Sequence, residues 1–158
     1  MNDILNLQNE SNILPISLAT IKNYVRVDFA NDDELLTKLL KTAIKNCESY
    51  IGKTIIEKTY ILSVYEDRCK VKLPYPPVKN INEVNMEYIY DDVANILSVN
   101  TGFNRLDVNY TAGMNTIDDE LVQGILMHVA RMYEDKSGYS TMPQNSIFIY
   151  QKYKQIRL

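Results

Sequence analysis

The chain has 158 residues, 46% hydrophobic and 23% charged, with a formal net charge of -3. That length suits one soluble domain burying roughly two thirds of the surface its unfolded chain exposes, and the mild acidity argues against a general phosphate-gripping surface of clustered Lys and Arg. Twelve Tyr against three Phe and no Trp favour half-wet contact surfaces.

Residues 1–16 read as a flexible leader, without the basic start and sustained apolar run of an export signal. No later segment has the length to cross a bilayer, so synthesis in the cytosol is expected, with no membrane partner. Ser17 then caps a short helix over 17–27, with Leu18, Ile21, Tyr24 and Val25 on one face. Asn31 and Glu34 make a capping-box-like pair for a second helix over 32–51, whose first turn places Asp32, Asp33 and Glu34 at the positive end of the dipole. Leu35, Leu36, Leu39, Leu40, Ala43, Ile44, Cys47, Tyr50 and Ile51 recur along it at helical spacing until Gly52 supplies a left-handed stop. Cys47 and Cys69 fall in different elements without CxxC spacing and read as reduced thiols.

Beyond Gly52 the residues become β-branched and aromatic, and 54–112 reads as a small antiparallel β subdomain. A strand is expected over Thr54–Val64. Three prolines in Pro74-Tyr-Pro-Pro77 force an extended corner, and Val78, Ile81, Val84, Met86 and Tyr88 continue as strand. Ile96–Val99 is expected to pair with Arg105–Thr111 across a loop containing Gly102. Leu106, Val108 and Tyr110 alternate with Asp107 and Asn109, so one face is buried and the other wet. A second long helix, 117–136, is expected to start from Thr116 as cap and end at Gly138, with Leu121, Val122, Ile125, Leu126, Val129, Met132 and Tyr133 inward. Gly124 within it costs about 1 kcal/mol of helix propensity against alanine, a cost offset if a backbone, expected to be that of the first long helix, packs close. The fold class is α+β, mainly α: two long packed helices, a short N-terminal helix, the β subdomain between the long helices in sequence, and a C-terminal arm.

That arm closes residues 139–158, a loop leading into Ser146-Ile-Phe-Ile-Tyr-Gln-Lys-Tyr-Lys-Gln-Ile-Arg-Leu158, apolar and basic without one acid. Folding back on its own core and docking on another chain are equally open readings of so many large apolar side chains at a terminus. Catalytic constellations are scarce. The sequence has no phosphate-cradling glycine loop, dinucleotide fingerprint or nucleophile elbow. The single histidine, His128, lies beside the apolar stripe of its helix and reads as a hydrogen-bonded residue at the core edge. The acids Asp28, Asp32, Asp33 and Glu34 lack calcium-loop spacing, and helix-start chemistry explains them better than a metal. Asp91, Asp92, Asp118, Asp119 and Glu120 read as turn and helix-start carboxylates. No catalytic, metal or cofactor residue is assigned.

The order of Ile16-Ser-Leu-Ala-Thr-Ile-Lys-Asn-Tyr-Val-Arg-Val-Asp28, a long acid-capped helix, Leu73-Pro-Tyr-Pro-Pro-Val78, Val108-Asn-Tyr-Thr-Ala-Gly113 and Gly124-Ile-Leu-Met-His-Val-Ala-Arg-Met-Tyr-Glu134 resembles the tailed-phage head-tail connector family over residues 15 to 136. Tyr153-Lys-Gln-Ile-Arg-Leu158 is similar to that family's closing tail. Asp118 stands where a proline is frequent and Gly124 where alanine is usual. The resemblance implies a structural adaptor without enzymatic activity, located in the virion neck after assembly in the host cytoplasm. Such adaptors form a ring, commonly a dodecamer, that docks under the portal protein, extends the channel through which DNA passes as cargo, and supports a stopper or tail-completion protein. On this reading Tyr150, Lys152, Tyr153, Lys154, Ile156, Arg157 and Leu158 form the portal-binding arm, and the length and acidic-to-basic charge progression of the two long helices place subunit contacts on their outward sides, with Lys38, Lys41 and Lys45 at the interface. The alternatives are a stopper or tail-completion role in the same neck, a small DNA-binding regulator gripping DNA with the basic arm, or a hydrolase with a carboxylate site at Asp32 or Asp33.

Overall fold

The computed structural model describes residues 3–135 and 141–155. Its elements in chain order are β1 (Ile4–Glu10), α1 (Leu18–Val25), α2 (Asp33–Ile51), β2 (Lys58–Val64), β3 (Lys70–Lys72), β4 (Val78–Val84), β5 (Tyr88–Asp91), β6 (Ile96–Val99), β7 (Leu106–Ala112), α3 (Asp119–Glu134) and α4 (Gln144–Tyr153). They fall into a β unit within residues 1–13 and 53–115 and a helical unit within residues 14–52 and 116–158. The α+β class read from the sequence holds, while several boundaries and pairings differ.

The β unit holds two antiparallel sheets, ordered β1-β2-β7-β4 and β3-β6-β5. Central β7 alternates strictly, with Leu106, Val108, Tyr110 and Ala112 buried and Asp107, Asn109 and Thr111 half-buried on the other face. Ile96–Val99 does not pair with β7 as expected. It lies between β3 and β5, with Leu97 opposite both Val71 and Tyr90. A seven-residue strand with a fully buried face needs full-length neighbours, and β2 and β4 supply them; four-residue β6 would leave β7 half unpaired.

Residues 1–16 do not form the expected loose leader. Residues 4–10 are an edge strand on β2, with Leu5 opposite Leu62 and Leu7 opposite Tyr60. Leu5 packs on the core, Glu10 meets Lys58 at 3.3 Å, and Asp3 pairs with Arg68. The expected strand from Thr54 begins only at Lys58, because Thr54 is committed to the proline corner. Prolines donate no backbone hydrogen bond, yet every carbonyl here accepts one. Thr54 Oγ1 donates to Tyr75 O at 2.9 Å, Tyr110 Oη to Pro74 O at 2.8 Å, Thr54 N to Pro76 O at 2.8 Å and Gly113 N to Pro77 O at 2.9 Å. Gly113 closes the Thr-Ala-Gly turn with φ 153°, and a Cβ there would lie 2.9 Å from Glu57 Cα. Only glycine fits that approach.

In the helical unit, Ser17 caps α1 by accepting from Thr20 N at 3.1 Å, and left-handed Arg26 ends it two residues early. A 3-10 turn, Ala30–Asp32, precedes α2, so the Asn31 capping box is replaced by Asp32 at the cap position. The helix-start acids reach neighbouring helices as well. Asp33 accepts from Lys22 Nζ at 2.6 Å, and Asp32 accepts from Tyr133 Oη. Asp118, not Thr116, caps α3 by accepting from Glu120 N at 3.0 Å; a carboxylate adjoining the first free N–H groups outcompetes a hydroxyl two residues back. The expected stop at Gly138 lies outside the described residues, and α3 ends at Glu134. Cys47 is buried, Cys69 is exposed and both are free thiols. Burial pushes the Cys47 thiol up to about 12. Among the described residues no helix is long and apolar enough to cross a membrane.

Candidate functional site

Residues 144–153, read from the sequence as part of the loop and C-terminal arm without an assigned helix, form helix α4. Its sequence is a poor helix former alone, because Ile147 and Ile149 are β-branched and a ten-residue helix is marginal in water. Packing against α3 and α2 supplies the difference. Ser146 and Tyr150, one turn apart, are fully buried. Both aim at one carbonyl: Ser146 Oγ donates to Gly124 O at 2.8 Å and Tyr150 Oη at 3.2 Å. Gly124 is therefore the seat of α4 rather than of α2, as expected from sequence. A Cβ at Gly124 would lie 3.1 Å from both Ile149 Cγ2 and Tyr150 Cε1.

These contacts change the reading of Tyr150, the first of the proposed portal-binding residues. Its ring is 0% exposed, with centroids 6.3 Å from Tyr50 and 6.4 Å from His128, and burial raises its phenol pKa. Tyr150 thus anchors its own subunit. Lys152 is exposed and pairs with Glu120. Tyr153 is half-buried, and burial together with a hydrogen bond to Asp118 pushes its phenol up to about 12. Lys154 is exposed, with Nζ 5.2 Å from the Tyr50 ring centroid, a cation–π contact. Gln155 N donates to Ile51 O at 2.8 Å, satisfying a carbonyl at the C-terminus of α2. Ile156, Arg157 and Leu158 lie outside the described residues. Phe148, which the arm assignment omitted, is 67% exposed; counting turns from buried Ser146 and Tyr150 places it on the opposite side of α4.

Lys38, Lys41 and Lys45 are all exposed along the outer side of α2. Lys38 meets Glu34 at 2.6 Å, an i,i+4 pair that lowers the Glu34 pKa. Among the described residues neither Lys41 nor Lys45 forms an ion pair, so two cations one turn apart face outward without a counter-charge.

His128 is 1% exposed. Its Nδ1 has no hydrogen-bond partner among the described residues, so at that nitrogen the hydrogen bond expected from the sequence is not formed. Burial lowers the His128 pKa. Below the unfolded value of about 6.5 the unfolded chain takes up a proton that the folded helix refuses, so stability falls as pH drops through that region. Urea midpoints of the wild type should therefore decline from pH 7 to pH 5.5, while His128→Gln should stay nearly level there. Equal slopes would show that this residue is not the source.

No group of three His, Cys, Asp or Glu among the described residues could hold a metal ion. The polar side chains near the carboxyl end organise contact: a helix seated in its own unit, a margin of exposed cations and one large exposed aromatic. This is the construction of a small α+β assembly protein. Residues 15–156 match the Phage gp6-like head-tail connector protein family, and the chain belongs to it. No curated protein matches the sequence.

The fold recurs in chains of gene transfer agent (GTA) particles. A chain from the neck of the empty GTA particle computed with C6 symmetry superposes with a TM-score of 0.82 at 16% identity, covering 98% of this chain and 97% of that one. A chain from the virion of the native particle gives 0.80 at 18%, with coverages of 98% and 97%. One from the native neck computed with C12 symmetry gives 0.72 at 18%, with 97% of each chain covered.

Proposed function

We propose that this connector works as a ring-forming adaptor in the neck of a tailed phage or phage-like particle. It sits beneath the portal protein, prolongs the DNA channel and offers a platform to a stopper or tail-completion protein. It acts by binding rather than by catalysis, and its place in the finished particle is the neck. The observation that carries the reading is the family match over residues 15–156, joined to a fold shared along nearly the whole chain with neck chains of GTA particles described by six- and twelve-fold symmetry. Six- or twelve-fold cyclic symmetry requires a heterologous contact, one patch of a subunit meeting a different patch of the next. The net charge of -3 suits a channel through which DNA slides, since many phosphate contacts would retard it.

In this arrangement the exposed end of α4 and the residues after it, Lys152, Tyr153, Lys154, Ile156, Arg157 and Leu158, face the portal, with Tyr150 holding their base in place. Lys38, Lys41 and Lys45 on α2 lie along a subunit boundary. Electron microscopy of the purified full chain mixed with portal assemblies tests the reading. A ring capping the portal is expected; portal vertices left bare at saturating protein would overturn it.

A further inference from the structure

The three-stranded sheet β3-β6-β5 has two free edges of opposite character. Direct cross-strand partners share a face, so Lys70, Ser98 and Ile89 form one row, and Lys72, Ile96 and Asp91 the next. The intervening Val71, Leu97 and Tyr90 turn to the core. On the outward face, the β3 margin carries two exposed lysines. The β5 margin carries Asp91, flanked by exposed Glu87 and Asp92. Beside these acids stand Ile89 at 78% and Val93 at 90% exposure. A shallow groove of about 240 Å³ lies across the start of β5 and the end of β6, lined by Glu87, Tyr88, Ile89, Ser98, Val99 and Asn100.

Two strand spacings, about 10 Å, separate β3 from β5, so the lysines cannot pair with Asp91 of their own sheet. Among the described residues neither lysine forms an ion pair. An unpaired, apolar strand edge is an aggregation hazard unless something covers it. The two margins complement each other in charge but sit at opposite ends of one sheet, which is the geometry of a head-to-tail contact rather than a two-fold one.

We propose that the acidic, apolar β5 edge of one copy docks on the basic β3 edge of the next, so that the occupant of this surface is a second copy of the chain. The contact rests on the ring reading above and supplies it with a specific joint. β3 and β5 both run antiparallel to β6 and hence parallel to each other, so repeating the sheet head to tail brings β5 beside a parallel β3 and sets Asp91 one strand spacing from the neighbour's lysines. Ile89 and Val93 leave water in the same step.

The test uses two charge-reversed full-length variants, Lys70→Glu/Lys72→Glu and Glu87→Lys/Asp92→Lys. Asp91 is kept because its Oδ1 accepts from Val93 N at 3.0 Å and Ala94 N at 3.1 Å within the turn. With folding checked by circular dichroism, ring formation is followed by mass photometry, alone and on portal assemblies. Each variant alone should assemble at least about tenfold more weakly than wild type, and an equimolar mixture should recover rings of alternating subunits, because every joint then again unites opposite charges. Rings insensitive to either reversal, or a mixture that recovers nothing, would overturn this contact alone. A wild type that stays monomeric at every concentration, with and without portal, would overturn the ring reading and the contact together.

Discussion

Replacing Tyr150 by alanine should destabilise the helical unit by about 3–5 kcal/mol, the range for truncating a fully buried large aromatic. The ring fills space between α2 and α3, against Tyr50 and His128, and its hydroxyl shares the Gly124 carbonyl with Ser146. Tyr150→Phe keeps the volume and gives up one neutral hydrogen bond, so its cost should be only about 1 kcal/mol. Gly124→Ala tests the other side of the joint. Alanine gains about 1 kcal/mol of helix propensity, but its methyl group meets Ile149 and Tyr150 at 3.1 Å, and overpacking of about 1–3 kcal/mol should leave a net loss. Urea denaturation followed by far-ultraviolet circular dichroism reads all three variants. A Tyr150→Ala cost below about 1 kcal/mol would mean that α4 is not seated as described.

The joint also marks where sequence reasoning succeeds and where it stops. The stripe on α2 was legible because six of its nine residues, Leu36, Leu40, Ala43, Ile44, Cys47 and Ile51, are buried at the spacing an amphipathic helix requires, although Leu35 at its start is exposed. Gly52 was legible as a stop, since a left-handed φ of 73° is what glycine permits cheaply. β7 was legible from its alternation, but its partners were not. Pairing is decided by which strands match its length and cover its edges, information spread over fifty residues. α4 was missed because its local propensity opposes its structure: Ile147 and Ile149 favour extended backbone, and the helix exists through Tyr150 and Ser146 meeting the Gly124 carbonyl some twenty residues away. Gly124 carried a signal for this. A glycine inside a helix implies a close neighbour, but nothing local said which. β1 failed similarly, with only Leu5 packed on the core in a polar stretch where Leu7 is 52% exposed.

This correction reshapes the experiment on portal recruitment. Deleting residues 147–158 would remove Tyr150 and with it a structural anchor, so lost binding would carry no information about the portal. Ending the chain after Gln155 keeps every described contact of α4: Tyr150 on Gly124, Lys152 on Glu120, Lys154 over Tyr50 and Gln155 N on Ile51 O. Only Ile156, Arg157 and Leu158 go. Because every described contact of α4 is kept, a stability change within about 0.5 kcal/mol is expected, or about 1–2 °C in Tm for a chain of this size. Recruitment to portal assemblies, measured by co-sedimentation, should nevertheless fall at least about tenfold, since the proposed arrangement makes Ile156 and Leu158 its aliphatic anchors and Arg157 its orienting cation. Arg157→Glu in the full-length chain should weaken recruitment more at low salt than at high salt, because screening removes the repulsion it introduces. Normal recruitment of the shortened chain would place the portal contact elsewhere, and exposed Phe148 on α4 would become the next surface to substitute.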